Sequence, residues 1–230
     1  MNVRYLLEMV LVGLMIISCS DMNSMHQEYL DRGESIYAKK VDSVNVFSGT
    51  YRVNLEIFLD TFSIKKLVVK GTEGSGIDTQ FINIGHRIVD NKIDLLIERM
   101  PEGDNFLSIY SYDLYGNSSL PVEKLAKCYG DFYRESLQDR IISSQKNNEG
   151  LYELKFFPST EESLIETKIE FTKNDETAAV VTVGADDVNV IVLSDIDIGK
   201  ECKYRSKFLP EASAIDTIYS KYTVIDPSLW

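Results

Sequence analysis

Histidine is nearly absent from this chain, and cysteine and tryptophan are scarce: two His, three Cys and one Trp in 230 residues. With only His26 and His86, and no CxxC or HxxxH spacing, a histidine-rich metal site is excluded and the sequence points to no metal or cofactor. Neither histidine accompanies a nucleophile elbow, so Ser/His/Asp catalysis has no visible seat. Three cysteines are too few for a disulfide framework. Positive charge is also short, with 24 Lys and Arg against 36 Asp and Glu and a formal net charge of -12. That balance repels phosphate backbones, so nucleic acid is not an expected partner. It equally leaves no polybasic patch for a membrane surface. A long apolar run is missing as well. The N-terminal run Met9 to Ile17 is about half of the ~20 residues that a spanning helix needs, and Glu8 abuts it.

What is present begins with that short run. Arg4 precedes it, and it ends at Ile16-Ile17-Ser18-Cys19. A basic start, an apolar middle and a small residue at a cleavage point make a secretory signal. A cysteine directly after the small residue resembles the lipobox of bacterial lipoproteins. The resemblance implies that residues 1–18 are removed and that Cys19 carries the lipid, tying the chain to a bilayer. Several acyl chains hold firmly where a single one binds reversibly. The expected location is therefore the outer membrane, lipid-anchored and facing the cell surface. Residues 19–33 read as a polar tether.

Hydrophobic residues make up 44% and aromatic residues 10% of the chain, enough for ordinary packed cores. From Glu34 onward the pattern is one of short strands. Tyr51 to Ile57 and Phe106 to Tyr112 alternate apolar with polar residues, as a strand buried on one face must. Val44–Val46, Ile64–Val69, Ile77–Ile84 and Lys92–Ile97 fill the space between them. Gly71 to Gly76 and Pro101 to Asp104 supply turns. A second series runs Ser136–Ser144, Leu151–Phe156, Leu164–Phe171, Ala178–Val183, Asn189–Leu193, Cys202–Phe208 and Ile218–Ile225. No long amphipathic helix competes. The expectation is all-β: two tandem fibronectin-III/immunoglobulin-like β-sandwiches, over residues 34–126 and 127–230.

Pro101 to Phe106, followed by Asp113-Leu114-Tyr115-Gly116-Asn117-Ser118-Ser119, resembles the end of a fibronectin type III domain. Gly116 suits a positive φ, and Asp113 and Asn117 can bond their own backbone. Leu30 to Val41, Asp113 to Ser118, Cys128 to Tyr133 and Leu137 to Arg140 together resemble the Bacteroidetes lipoprotein family known as domain of unknown function 4998. Leu209-Pro210-Glu211 and Ile215 to Tyr219 resemble its closing motif. Cys128 stands where that family suggests a small aliphatic residue, which favours a buried thiol over a bridge to Cys202. The resemblance implies a fold, a surface location and an association with glycan capture, but no activity.

Carboxylates are adjacent at Glu161-Glu162, Asp186-Asp187 and Asp195/Asp197. Adjacency does not supply the fixed separation across a cleft that a glycosidase needs, and no EF-hand spacing accompanies them. Solvated loops are the better reading, and the chain is not expected to be an enzyme. The aromatics carry more weight: 13 Tyr and 10 Phe. Sugar rings present apolar C–H faces that pack on flat side chains. Tyr115 at a loop tip, Tyr129, Phe132 and Tyr133 near the domain boundary, and the terminal Trp230 are the candidate ligand contacts. For Tyr129, Phe132 and Tyr133, packing of the junction between sandwiches is the favoured alternative. The expected function is binding or presenting an extracellular glycan for uptake. The second reading is a structural or adhesive module contacting another surface protein.

Overall fold

Short alternating strands build nearly everything in this molecule, because each can bury its apolar face only by pairing with neighbours and packing on a second sheet. The computed structural model describes residues 34–60, 62–85, 90–159, 161–187 and 190–225. Residues 34–37 carry no regular structure, and a compact body begins at Ala38.

Seven strands form the first sandwich: β1 (Ser43–Ser48), β2 (Arg52–Phe58), β3 (Lys66–Gly71), β4 (Gln80–Asn83), β5 (Lys92–Glu98), β6 (Gly103–Tyr112) and β7 (Val122–Cys128). They divide into a three-stranded sheet, β1-β2-β5, and a four-stranded sheet, β4-β3-β6-β7. All pairs are antiparallel. Val53, Leu55 and Ile57 of β2 face Leu67 and Val69 of β3 and Leu107 and Ile109 of β6 in one core.

A helical turn, α1 (Asp131–Ser136), leads to the second sandwich. Its strands are β8 (Ile142–Lys146), β9 (Tyr152–Phe156), β10 (Leu164–Thr172), β11 (Ala178–Gly184), β12 (Val190–Leu193), β13 (Cys202–Phe208), β14 (Ile218–Tyr219) and β15 (Thr223–Ile225). The sheets are β12-β9-β8 and β11-β10-β13-β14, with β15 also on β13. This repeats the first sandwich strand for strand, except that the last strand is broken in two. The fold is all-β, two tandem sandwiches of the fibronectin type III and immunoglobulin kind. A separate core holds Leu154, Phe156, Ile169, Phe171, Cys202 and Tyr204.

Three expectations shift. Val122–Cys128 is a strand, the seventh of the first sandwich, and it runs two residues past the expected limit at 126. Residues 136–144 are not one strand: α1 ends at Ser136, and β8 starts only at Ile142. Arg140 lies in that gap. It is buried, and it donates Nε to the Phe157 carbonyl at 2.8 Å, Nη1 to the Gly184 carbonyl at 2.8 Å, and Nη2 to the Asp187 carbonyl. Residues 218–225, expected as one strand, break at Ser220. Cys128 and Cys202 are both free and buried, one in each core. Desolvation pushes each thiol up to about 11.

The joint between the sandwiches is polar and tightly fitted. Asp216, in the loop after β13, accepts the Thr50 N–H at 2.9 Å and Arg52 Nε at 2.8 Å, with Arg52 Nη2 on its other oxygen. The Ile215 N–H bonds the Ser48 carbonyl at 2.8 Å. Gly49 is required there, since a methyl group would lie 2.7 Å from Asp216 Oδ2 and 2.9 Å from the Arg52 carbonyl. Tyr51 adopts φ 53, a left-handed conformation that costs energy in a bulky residue. Its surroundings hold it: its N–H bonds the Tyr129 carbonyl at 2.9 Å, and its hydroxyl accepts the Asp131 N–H at 2.9 Å. Glu102 accepts the N–H groups of Phe132 and Tyr133 at 2.8 and 2.6 Å, capping α1.

Candidate functional site: an outward aromatic sheet face

Alternation along β6 puts Leu107, Ile109 and Ser111 in the core and turns Phe106, Ser108, Tyr110 and Tyr112 outward. A strand buried on one face normally carries polar residues on the other; this one carries aromatics. Successive outward residues lie about 7 Å apart along the strand. Register extends the row sideways, since Val68 of β3 pairs with Phe81 of β4 on one side and Tyr110 on the other. Val68 lies on the face opposite Leu67 and Val69, yet it is only 2% exposed, with Phe81 and Tyr110 as its cross-strand neighbours. Phe106 pairs with Leu125 of β7. Phe81 is 66% exposed and Phe106 61%.

Lysines interleave with the rings. Lys66 Nζ lies 4.9 Å from the Phe81 centroid and 5.5 Å from that of Tyr112, and Lys70 Nζ lies 5.5 Å from that of Tyr110. Ammonium groups so placed are attracted by the ring quadrupole. The surface thus offers flat apolar area beside flexible hydrogen-bond donors.

The residues singled out by sequence are scattered. Tyr115 is 90% exposed at the tip of the β6–β7 loop. Asp113 shapes that loop: its Oδ1 accepts the N–H groups of Tyr115 and Asn117 at 2.8 and 2.9 Å, and Gly116 has φ 86. The Asn117 side chain and these N–H groups hold the Asp113 carboxyl below the usual carboxylate range. Tyr129 is 4% exposed, and its ring centroid lies 4.7 Å from that of Tyr133. Burial pushes the Tyr129 phenol up to about 12. These two rings pack against each other at the junction, Tyr129 buried and Tyr133 half-buried. Phe132 is 80% exposed on α1. Cys19, Trp230, His26 and His86 lie outside the described residues. Phe81, Tyr110 and Phe106 were not singled out in the sequence, although the outward half of the Phe106–Tyr112 alternation carried the signal.

Two of the acidic pairs close turns. Asp187 Oδ2 accepts the Gly184 N–H at 3.1 Å, and Asp197 Oδ1 accepts that of Gly199 at 2.9 Å. Among the described residues, no group of three or more His, Cys, Asp or Glu is placed to hold a metal ion. Likewise, no described helix is long and apolar enough to cross a membrane.

A family profile covers residues 19–218. The chain belongs to the DUF4998 family, a domain of unknown function. No curated protein matches this DUF4998 chain in sequence. Solved structures do resemble it. A two-domain fibronectin type III segment of chicken tenascin is 12% identical, with 81% of this chain and 100% of that one covered and a TM-score of 0.31. The FN1–FN3 domains of chicken CNTN1 are 12% identical, with 84% and 65% covered and a TM-score of 0.37. The BSP domain of a biofilm-associated protein is 16% identical, with 80% and 29% covered and a TM-score of 0.30.

Proposed function

We propose that this DUF4998 chain is a non-enzymatic, lipid-anchored surface protein whose first sandwich holds an extracellular glycan on its outward sheet face. One observation carries the reading: Phe81, Tyr110, Tyr112 and Phe106 share the solvent side of a single rigid sheet, with Lys66 and Lys70 between them. Strand-borne side chains hold their spacing better than loop-borne ones. Sugar C–H faces pack on such rings while hydroxyls take hydrogen bonds from the ammonium groups. The anchor is Cys19, which follows Ser18 and the short apolar run, and it places the module at the outer membrane.

Calorimetry of the purified chain against neutral and acidic polysaccharides tests the face. Binding that Phe81→Ala with Tyr110→Ala weakens about tenfold or more is the expected result. Heatless titrations across the whole panel overturn the glycan assignment. The exposed Phe106–Leu125 pair favours the second reading, an adhesive contact with another surface protein. Under that reading, Phe106→Ser abolishes co-purification of a partner and the polysaccharide panel stays silent.

A further inference from the structure

The second sandwich carries the equivalent sheet face in a different chemistry. β10 turns out Glu166, Lys168 and Glu170, and β13 turns out Lys203, Arg205 and Lys207. β14 pairs with β13 at Lys207 and Phe208, and β15 pairs at Cys202, Lys203 and Tyr204. Between them, opposite Arg205, the partner strand leaves the ladder. Asp139 takes over part of its role: Oδ1 accepts the Ser206 N–H at 3.0 Å and the Ser220 hydroxyl, and Oδ2 accepts the Thr223 hydroxyl at 2.6 Å. Tyr219, at the end of β14, and Tyr222, within the break, both place their rings against Arg205. Its Cζ lies 4.2 Å from one ring centroid and 4.5 Å from the other.

Arg205 is thereby oriented, with one of its donors left unsatisfied. Its Nε is buried with no hydrogen-bond partner, and among the described residues no carboxylate pairs with it. By contrast, Arg52 is committed to Asp216, Arg134 to Asp131 at 3.1 Å, and Arg140 to three carbonyls. A desolvated donor without an acceptor is costly, and a stacked guanidinium presents its N–H fork in one plane. Around it lies a cavity of about 510 Å³ lined by Thr50, Arg134, Arg205, Tyr219, Lys221 and Tyr222. Lys221 and Arg134 also line it, each with an acidic neighbour on α1, Glu135 and Asp131.

We propose that this pocket is a binding site for a small carboxylate-bearing ligand, gripped by the Arg205 guanidinium against Tyr219 and Tyr222. A planar carboxylate accepts two parallel N–H bonds from that fork. The cavity is of small-molecule size, within roughly 300–1,000 Å³. A long polyanion would meet a chain of net charge -12, whereas a ligand with one charge feels mainly the local cations. The site is independent of the aromatic face of the first sandwich, and either can fail without the other.

Titration of the full chain in detergent with glucuronate, glucose and inorganic sulfate, read by calorimetry and tyrosine fluorescence, tests it. Glucuronate binds saturably and glucose does not. Arg205→Gln weakens glucuronate about 10- to 100-fold, the loss expected for one charge-assisted pair. Arg205→Lys keeps the charge without the fork and falls between. Thermal melts establish that each variant is folded, and the wild-type titration stands alone if one is not. Saturation absent with the wild type, equal binding by a folded Arg205→Gln chain, or equal response to glucose overturns the proposal. Sulfate binding as tightly as glucuronate overturns the carboxylate assignment, since the pocket would then read charge alone.

Discussion

Replacing Asp216 by alanine removes a side chain of the second sandwich that bonds the first through both carboxylate oxygens. Three bonds are lost: two from Arg52 and one from the Thr50 N–H. Hydrogen bonds to charged groups contribute about 1.5–3 kcal/mol each when well buried. Arg52 is 40% exposed and Asp216 18%, so water screens the ionic part considerably. The net cost is about 2 kcal/mol, and about 1 kcal/mol should appear as coupling in a double-mutant cycle with Arg52→Ala. For a body of this size that lowers the melting temperature by about 4–8 °C. The pH dependence gives a second handle. Arg52 holds the Asp216 carboxyl below the usual carboxylate range; burial opposes it and the Thr50 N–H assists. A depressed folded value means that the stabilisation is complete above the unfolded value of about 3.9 and is lost as pH falls through the lower folded one. The gap between wild type and Asp216→Asn should therefore be constant near neutrality and shrink in acid below about pH 3.9. Urea unfolding across pH measures it. Additive Asp216 and Arg52 effects, or a gap that widens in acid, would refute the reasoning.

Arg140→Met should destabilise by about 1–3 kcal/mol, because three part-buried carbonyls lose their donor; a melt within 1 °C of wild type, by ~0.3 kcal/mol equivalence, contradicts this. Cys128 and Cys202 should resist alkylation near pH 8 in the native chain and react fully in urea, since both thiols titrate at about 11 and sit in closed cores; mass spectrometry of the quenched protein reads the outcome. Gly49→Ala should loosen the joint, as the added methyl meets both a side chain and a backbone oxygen; faster proteolysis between residues 129 and 141 is the signature. Cys19→Ala should move the protein from the membrane fraction to the soluble one, and unchanged fractionation removes the lipid anchor.

Much of the fold is legible in the chain because sidedness is a local property. Val53-Asn54-Leu55-Glu56-Ile57 and Cys202-Lys203-Tyr204-Arg205-Ser206-Lys207-Phe208 each state which face is inside. The turn at Asp113 to Asn117 is likewise local, closed by bonds within five residues. Val122–Cys128 escaped notice because its inward residues include Lys124 and Ala126, so the apolar contrast is weak. The 136–144 segment misleads because a buried arginine looks, in sequence, like a surface residue.

The aromatic row needed register. Phe81, Val68 and Tyr110 come from three strands, and only hydrogen-bonded pairing sets them side by side. The sequence by itself determined the all-β class, the sidedness of the strands and the turn at Asp113, since these depend on neighbours a few positions away. Tertiary structure alone decided that Asp216 meets Thr50, 166 residues distant, that Tyr129 is spent on packing, and that Arg205 lies against two rings with its Nε unanswered. Those outcomes depend on where separate segments come to rest, and no local pattern of residues encodes that distance.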